Sequence, residues 1–313
     1  MAVCVFVGDA LAKYGFGQGH PFDPQRLGDF WNELVRQGLD KQLAICVPVL
    51  AQPTQIEQFH TQDYVAFVKA KSKIGTGFLD EGDTPAFPGI YEAAATVVGT
   101  TLDALHRVMN SDCRRAFVPI AGLHHARKDS AAGFCVFNDC GVAIEVLKIR
   151  YQLKRIAYVD IDAHHGDGVF YSFENDPDVF IADLHEDGRY LYPGTGGETE
   201  TGTGLAKGTK LNIPMPPNAD DGDFMQAWDQ VEKFLHHARP EIILFQCGAD
   251  SLAGDPLTHL KYSFKAHEHA AKSLCQLANE YCGGRVLAMG GGGYNHANII
   301  SAWMAVVKAL LSS

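Results

Sequence analysis

The sequence contains no CxxC pair and no long hydrophobic run. Its eight cysteines are scattered, and several lie within apolar or motif segments (Cys4, Cys46, Cys135 and Cys247), which indicates reduced thiols rather than a disulfide framework and favours the cytoplasm. No segment approaches the roughly 18–20 apolar residues of a membrane span, so we expect no membrane association. The apolar segment Met1–Gly8 lacks a basic n-region, so we expect no signal peptide.

Basic residues are few relative to acidic ones. The chain has 26 Lys and Arg against 37 Asp and Glu, a formal charge of −11. Direct nucleic-acid binding through a basic face is therefore disfavoured, and a cationic substrate would fit this balance. The apolar fraction of 46% is that of a globular protein. Because no repeat, low-complexity tract or linker divides the chain, we predict one domain over residues 1–313.

Apolar strand-like runs alternate with amphipathic helical stretches. This alternation predicts an α/β fold with a mostly parallel sheet and helices on both faces. The glycine-rich stretch 188–208 is predicted to be a surface loop that borders a site. The predicted strands are 114–119, 155–161, 179–183, 241–246 and 285–289, and the predicted helices are 91–109, 139–151, 223–238 and 263–281.

Candidate metal ligands follow two of the predicted strands. The segment Asp160-Ile-Asp162-Ala-His164 begins at the end of one strand, and Asp250 follows another. Ligands gather beyond the carboxyl ends of strands in open α/β sheets, so these side chains are expected to converge. Two carboxylates and one imidazole suit a divalent metal that keeps a position open for chemistry, which indicates a metallohydrolase.

Each of these features also has a simpler structural explanation when taken alone. An acid at a strand end often caps the next helix, and the pair His124-His125 could be only a polar turn. However, five ionisable residues within 160–167, after an apolar strand, would be costly to bury without partners, and with Asp250 they favour a metal site. The four glycines before Tyr294 could be a flexible turn, yet they also allow close backbone approach to a ligand.

Several ordered motifs resemble the histone deacetylase family, including its bacterial acetoin-utilisation and acetylpolyamine amidohydrolase relatives. The match extends over nearly the whole chain, and the resemblance implies an arginase-like α/β fold with a sheet of about eight strands. An N-terminal segment, Gly17-Gln-Gly-His-Pro21 with Pro24 and Arg26, also looks like the family's signature. The other motifs are Gly122-Leu-His-His-Ala126, Ala132-Gly-Phe-Cys-Val-Phe-Asn-Asp139, Asp160-Ile-Asp-Ala-His-His-Gly-Asp-Gly168, Tyr192-Pro-Gly-Thr-Gly196, Gly248-Ala-Asp250 and Gly290-Gly-Gly-Gly-Tyr-Asn295.

The resemblance implies a zinc ion held by Asp162, His164 and Asp250, with Fe²⁺ as the alternative metal at such a mixed N/O site. Zinc polarises an amide carbonyl and lowers the pKa of bound water towards ~7, which an unactivated amide requires.

The same resemblance assigns the catalytic roles. His125 would be the general base and acid, and His124 would assist electrostatically. Asp160 would orient His124, and Asp167 would orient His125. Tyr294 would donate its hydroxyl to the tetrahedral oxyanion.

Substrate and cation contacts are also implied by the resemblance. Phe134 and Tyr192 would be the aromatic walls of a tunnel, Gly133 would allow close approach, and Asp83 is a candidate to hold the substrate backbone or amine. Many relatives have phenylalanine in place of Tyr192, so wall polarity and substrate preference are expected to differ. A structural potassium ion is expected at the backbone or side chains of Asp160, Asp162, His164, Asp183 and Leu184.

The favoured activity is zinc-dependent hydrolysis of the acyl amide of an acetylated lysine side chain, a linear amide. An acetylpolyamine or other N-acyl amine is the alternative substrate, and a non-catalytic scaffold of the same fold is the alternative class. The intact ligand trio, histidine pair and Tyr294 argue against the scaffold, and the glycine-tyrosine turn argues against a two-manganese arginase. The absence of an appended domain favours a bacterial cytoplasm. The sequence leaves oligomeric state open.

Overall fold

The computed structural model describes residues 2–17 and 19–313. Its strands are β1 (Val3–Phe6), β2 (Ala44–Cys46), β3 (Arg115–Val118), β4 (Ile156–Asp160), β5 (Val179–Glu186), β6 (Lys210–Met215), β7 (Ile242–Gln246) and β8 (Val286–Met289). Within the described residues, these eight strands form one sheet in the order β2-β1-β3-β8-β7-β4-β5-β6. Every neighbouring pair is parallel.

The central strands are continuous apolar runs. All residues of β4 and β7 are buried, as expected of a parallel sheet that is covered on both faces. The two strands lie side by side, with Asp160 in register with Gln246. The polar residues that end the two strands therefore come together at one edge of the sheet.

The helices form two layers, which explains why both faces of the sheet are apolar. In chain order they are α1 (Asp9–Ala12), α2 (Arg26–Arg36), α3 (Pro53–Ile56), α4 (Gln62–Ile74), α5 (Ile90–Met109), α6 (Asp139–Ile149), α7 (Asp167–Phe173), α8 (Asp221–Ala238), α9 (Phe264–Tyr281) and α10 (His296–Ser312). Helix α5 contacts α1, α3, α4 and α6, whereas α9 and α10 contact one another and are joined by α8 and α2.

The predicted fold class is confirmed, and the sheet is parallel throughout rather than only mostly so. Each predicted strand and helix is present within a few residues of its expected bounds. The elements that were not predicted are β1, β2, β6, α1, α2, α3, α4, α7 and α10. Strand β2 has only three residues and lies at the edge of the sheet, so its periodic signal is weak.

None of the helices in the described part of the chain combines the length and apolarity needed to cross a bilayer.

The candidate functional motifs lie at the carboxyl ends of the central strands. Strands β3, β8, β7 and β4 are consecutive neighbours, and each is followed directly by one of the candidate motifs. Their carboxyl ends define the edge where the functional side chains meet.

Candidate functional site

Three ligand-type side chains converge beyond β4 and β7. One donor atom from each of Asp162, His164 and Asp250 lies within 4.8 Å of the others, and all three residues are buried. Nδ1 of His164 is 3.1 Å from Asp162 Oδ1 and 3.1 Å from Asp250 Oδ2. Among residues 2–17 and 19–313, this is the one group of three or more His, Cys, Asp and Glu side chains that could hold a metal ion.

The donor set fits a divalent cation. A single imidazole N–H cannot point at two carboxylates at once, and two buried negative charges need a compensating charge close by. Burial and the neighbouring charge of Asp162 raise the pKa of Asp250 to about 7. A cation bound by both carboxylates and by His164 Nδ1 would remove this conflict.

Hydrogen bonds fix the oxygens that do not face His164. Oδ1 of Asp250 accepts from the backbone N–H of Ala163 at 2.9 Å. Oδ2 of Asp162 accepts from Gln246 Nε2 and from the Gly292 N–H, each at 2.8 Å. Each carboxylate is therefore held so that its other oxygen points to the proposed ion, as outer hydrogen bonds do in metal sites.

Two histidine–aspartate pairs lie beside this trio. His124 Nδ1 is 2.8 Å from Asp160 Oδ2, and His125 Nδ1 is 2.7 Å from Asp167 Oδ1. The two Nε2 atoms face each other at 3.1 Å. All four residues are buried. Each imidazole therefore has its Nδ1 side fixed by a carboxylate and its Nε2 side directed into the site.

The two histidines differ in basicity. Burial opposes protonation of His124, but the charges of Asp160 and Asp162 outweigh it and raise the pKa of His124 to about 10. Burial and the charge of His124 lower the pKa of His125 to about 4. His124 is thus the more basic of the two imidazoles, and a proton shared by the pair lies on His124 rather than on His125.

Tyr294 lies on the glycine-rich turn that follows β8. Together with His124, His125, Asp162 and His164, it lines a narrow inner cavity of about 20 Å³. Burial raises the pKa of its phenol well above the usual value, so the hydroxyl keeps its proton.

The Tyr294 turn is held from both sides. Nη2 of Arg26 donates to the carbonyl of Gly291 at 2.7 Å and to that of Gly292 at 3.2 Å. On the other side, Asp255 Oδ2 accepts from the Tyr294 N–H at 2.8 Å.

Phe134 is held in an uncommon conformation next to the inner cavity. Its φ angle is +66°, in the left-handed region, and Gly133 before it also has positive φ. The Phe134 N–H donates to Thr84 Oγ1 at 3.1 Å, and its carbonyl accepts from the Tyr14 hydroxyl at 2.7 Å. The Phe134 ring packs edge-on against Tyr294, with 5.9 Å between centroids.

A larger cavity of about 550 Å³ opens outside this point. We call it the mouth cavity; it is lined by residues 80–83, Arg127, residues 130–133 and Tyr192. Asp83 thus lies at the mouth rather than beside the metal trio. Burial and the nearby Asp80 carboxyl raise the pKa of Asp83 to about 6. The Tyr192 ring packs against His125 with 5.1 Å between centroids, so the 188–208 loop borders the site.

The residues of the predicted potassium site lie on adjacent strands. Asp160 on β4 is in register with Asp183 on β5, next to Leu184. The Asp183 carboxylate accepts from the Gly166 N–H at 2.9 Å and contacts His185 Nδ1 at 2.7 Å. Potassium binding stays a prediction.

The N-terminal signature contributes to the same region. His20 packs against Phe134 with 4.5 Å between ring centroids, and Arg26 supports the Tyr294 turn as described above. Gln18, which belongs to this motif, lies outside the described residues.

Several supporting residues had no role assigned from the sequence. Gln246 and Tyr158 are polar residues within apolar strands, and this pattern is the signal that could have identified them. The Tyr158 hydroxyl donates to Asp160 Oδ2 at 2.6 Å. Asn138 holds the backbone after His124 through a bond from Nδ2 to the Ala126 carbonyl at 2.8 Å. The others are Arg26, Arg127 and Asp255.

The chain is similar to known proteins over nearly its whole length. The sequence model of the histone deacetylase domain family matches residues 20–310 of the chain. Acetoin utilization protein AcuC of Bacillus subtilis (strain 168) is 38% identical over 305 residues, covering 94% of this chain and 78% of its own length. Histone deacetylase 6 of Arabidopsis thaliana is 32% identical over 312 residues, covering 96% of this chain and 64% of its own length. The crystal structure of the HDA15 HD domain superposes with a TM-score of 0.92 at 26% identity, covering 100% of this chain and 88% of that one.

Proposed function

The chain belongs to the histone deacetylase family, and we propose that it is a zinc-dependent amidohydrolase that cleaves the acyl amide of an acetylated lysine side chain. A deacetylase activity follows from the family. The identity of the metal, the substrate and the role of each site residue are what we propose in addition.

Asp162, His164 and Asp250 would hold the metal. A bound zinc ion supplies Lewis acidity that polarises the amide carbonyl and makes water acidic enough to attack at neutral pH. Fe²⁺ would suit the same N/O donor set. The protein's contribution is the fixed orientation of both carboxylates by Gln246 and by backbone N–H groups.

His125 is proposed as the general base and then the general acid. The pKa of His125 is lowered, and Asp167 holds its Nδ1, so Nε2 is the nitrogen that would take a proton from water in place of its contact with His124 Nε2. The water oxygen bonds to the acyl carbon, the C–N bond breaks, and the proton passes to the leaving amine. His124, the more basic imidazole and held by Asp160, would in its protonated form stabilise the negative charge that develops beside it.

Tyr294 is proposed to donate its hydroxyl to the oxyanion that forms at the acyl carbon. Its raised pKa and its place in the inner cavity support this role. Phe134 and Tyr192 would flank the aliphatic part of the substrate, and Gly133 lies against His125 and Tyr192 where a Cβ atom would not fit. The observation that carries the proposal is the meeting of the two histidine–aspartate pairs with the buried Asp-His-Asp trio.

An acetylated polyamine is the second candidate substrate. The mouth cavity is lined by Asp80, Glu81 and Asp83, and the chain carries a formal charge of −11. A second ammonium group outside the tunnel would be attracted to these carboxylates.

The test is acetate release by the zinc-loaded protein. An acetyl-lysine peptide is compared with N-acetylated putrescine, cadaverine and spermidine, with Asp250→Ala as the blank. A higher kcat/KM for the peptide supports the lysine deacetylase, and a higher value for the polyamines supports the second candidate. Absence of release from all of them contradicts both assignments and favours another acyl group or a non-catalytic protein.

A further inference from the structure

The carboxylate of Asp167 is shared between two partners. Oδ1 is 2.7 Å from His125 Nδ1, and Oδ2 accepts from Arg127 Nη2 at 3.3 Å. The Asp167 side chain is 1% exposed, whereas that of Arg127 is 62% exposed. A cation at the surface therefore touches the carboxylate that orients a buried histidine.

The neighbouring pair is arranged differently. Asp160 accepts from the Tyr158 hydroxyl at 2.6 Å and from the Asp162 N–H at 3.0 Å, in addition to its contact with His124. These extra donors are neutral, and the Asp160 side chain is fully buried. The His124 pair is thus sealed from solvent, while the His125 pair reaches the surface through a guanidinium group.

Arg127 lies where a bound substrate would pass. Its backbone N–H donates to the Ser130 carbonyl at 2.9 Å, which fixes the local turn. Its side chain lines the mouth cavity together with Tyr192, whose ring packs against His125. The guanidinium is therefore next to both the path of the substrate and the support of His125.

We propose that Arg127 is a positioning residue for His125, acting through Asp167. Arg127 thereby couples the charges in the mouth cavity to the orientation of His125, the proposed general base. The inference rests on the function proposed above for His125. By occupying Oδ2, the guanidinium prevents the carboxylate from turning, so that Oδ1 stays on Nδ1 and Nε2 stays directed into the site. Its positive charge also offsets part of the charge of Asp167. Because Arg127 is largely exposed, solvent screens this effect and its size is moderate.

Kinetics with a neutral acetyl-lysine peptide test the proposal in the zinc-loaded full chain. We expect Arg127→Met to lower kcat by about 3- to 10-fold with little change in KM. Arg127→Lys should recover most of the loss. The matched control is Arg189→Met, which removes another largely exposed arginine paired with an aspartate, Asp187, and makes the same change in net charge. Equal kcat values for Arg127→Met and Arg189→Met would overturn the proposal.

Two further measurements separate positioning from a general structural effect. In an Asp167→Asn background, Arg127→Met should have no additional effect on kcat, and additive losses would overturn the proposal. The low-field proton resonance of the His125 Nδ1–H should shift in Arg127→Met and not in Arg189→Met. This resonance does not depend on turnover. If the wild type releases no acetate, the function of the site is wrong, whereas an unshifted resonance removes the role of Arg127 alone.

Discussion

Gly248 approaches Asp162 so closely that a Cβ atom on Gly248 would lie 2.1 Å from Asp162 Oδ2. The φ angle of Gly248 is −51°, which any residue can adopt, so the contact itself is what excludes a side chain. Oδ2 is also the oxygen held by Gln246 and by the Gly292 N–H. A methyl group here would have to displace a buried carboxylate from its hydrogen bonds.

Gly248→Ala should therefore weaken zinc binding, by about 10- to 100-fold if the displaced carboxylate behaves like one that has lost its outer hydrogen bonds. Competition with a zinc chelator measures this. The control is Gly28→Ala in α2, where a Cβ atom meets nothing within 4 Å. That variant should keep its zinc affinity and gain about 0.5–1 kcal/mol of stability. Unchanged affinity in Gly248→Ala would show that Asp162 is not a ligand or that the turn gives way.

Tyr294→Phe removes the hydroxyl proposed to bind the oxyanion and keeps the ring that packs on Phe134. We expect kcat to fall by about 10²- to 10³-fold, with zinc content and the free energy of unfolding nearly unchanged. The control for loss of a tyrosine hydroxyl is Tyr190→Phe, at an exposed tyrosine close to Tyr192 in the 188–208 loop. A kcat near that of the wild type would rule out the oxyanion role.

The sequence was sufficient to predict the fold class and to group the main site residues. Alternating apolar runs predict a parallel sheet, and Asp160, Asp162, His164 and Asp250 lie at or just beyond the ends of two of its strands. Because the side chains just beyond neighbouring parallel strands meet at one edge, short motifs that are distant in the chain could be placed together. No knowledge of exact register was needed for that step.

The supporting contacts could not be predicted in the same way. Arg26 lies 265 residues before Gly291, whose carbonyl it contacts, and Gln246 lies 84 residues after Asp162. Such pairs depend on which atoms of neighbouring strands and turns come within 3 Å, and the sequence alone does not give this register. Short edge strands such as β2 were missed because three residues carry almost no periodic pattern.

Gln246 provides a test of these supporting contacts. Gln246→Leu leaves one oxygen of Asp162 with a single donor and leaves the Gly248 N–H, now bonded to Gln246 Oε1 at 2.8 Å, without an acceptor. We expect zinc affinity to fall by about 10- to 100-fold. Asn212→Leu removes a buried amide from β6, away from the trio, and should reduce stability without changing zinc affinity. Equal affinities in the two variants would contradict the role of Gln246.

His60 supports the segment that carries the histidine pair, and it does so as a neutral side chain. Its Nε2 accepts from the Asn138 N–H at 2.8 Å, and its Nδ1 donates to the Lys128 carbonyl at 3.3 Å. The residue is 2% exposed, and burial lowers its pKa to about 4. Protonation of Nε2 would break the bond to Asn138, which itself holds the backbone after His124.

This depressed pKa predicts the direction of a pH effect on stability. The unfolded chain binds a proton at His60 near pH 6.5, whereas the folded chain does so only near pH 4. The stabilisation is therefore complete above pH 6.5 and is lost as the pH falls towards 4, by about 3 kcal/mol in total. In His60→Gln, the amide oxygen can accept from Asn138 without titrating. Urea unfolding at pH 7 and pH 4 should show the wild type losing about 3 kcal/mol more than this variant, because the titration of every other group cancels in the comparison. Parallel losses in the two proteins would mean that His60 does not hold Asn138 through a neutral ring.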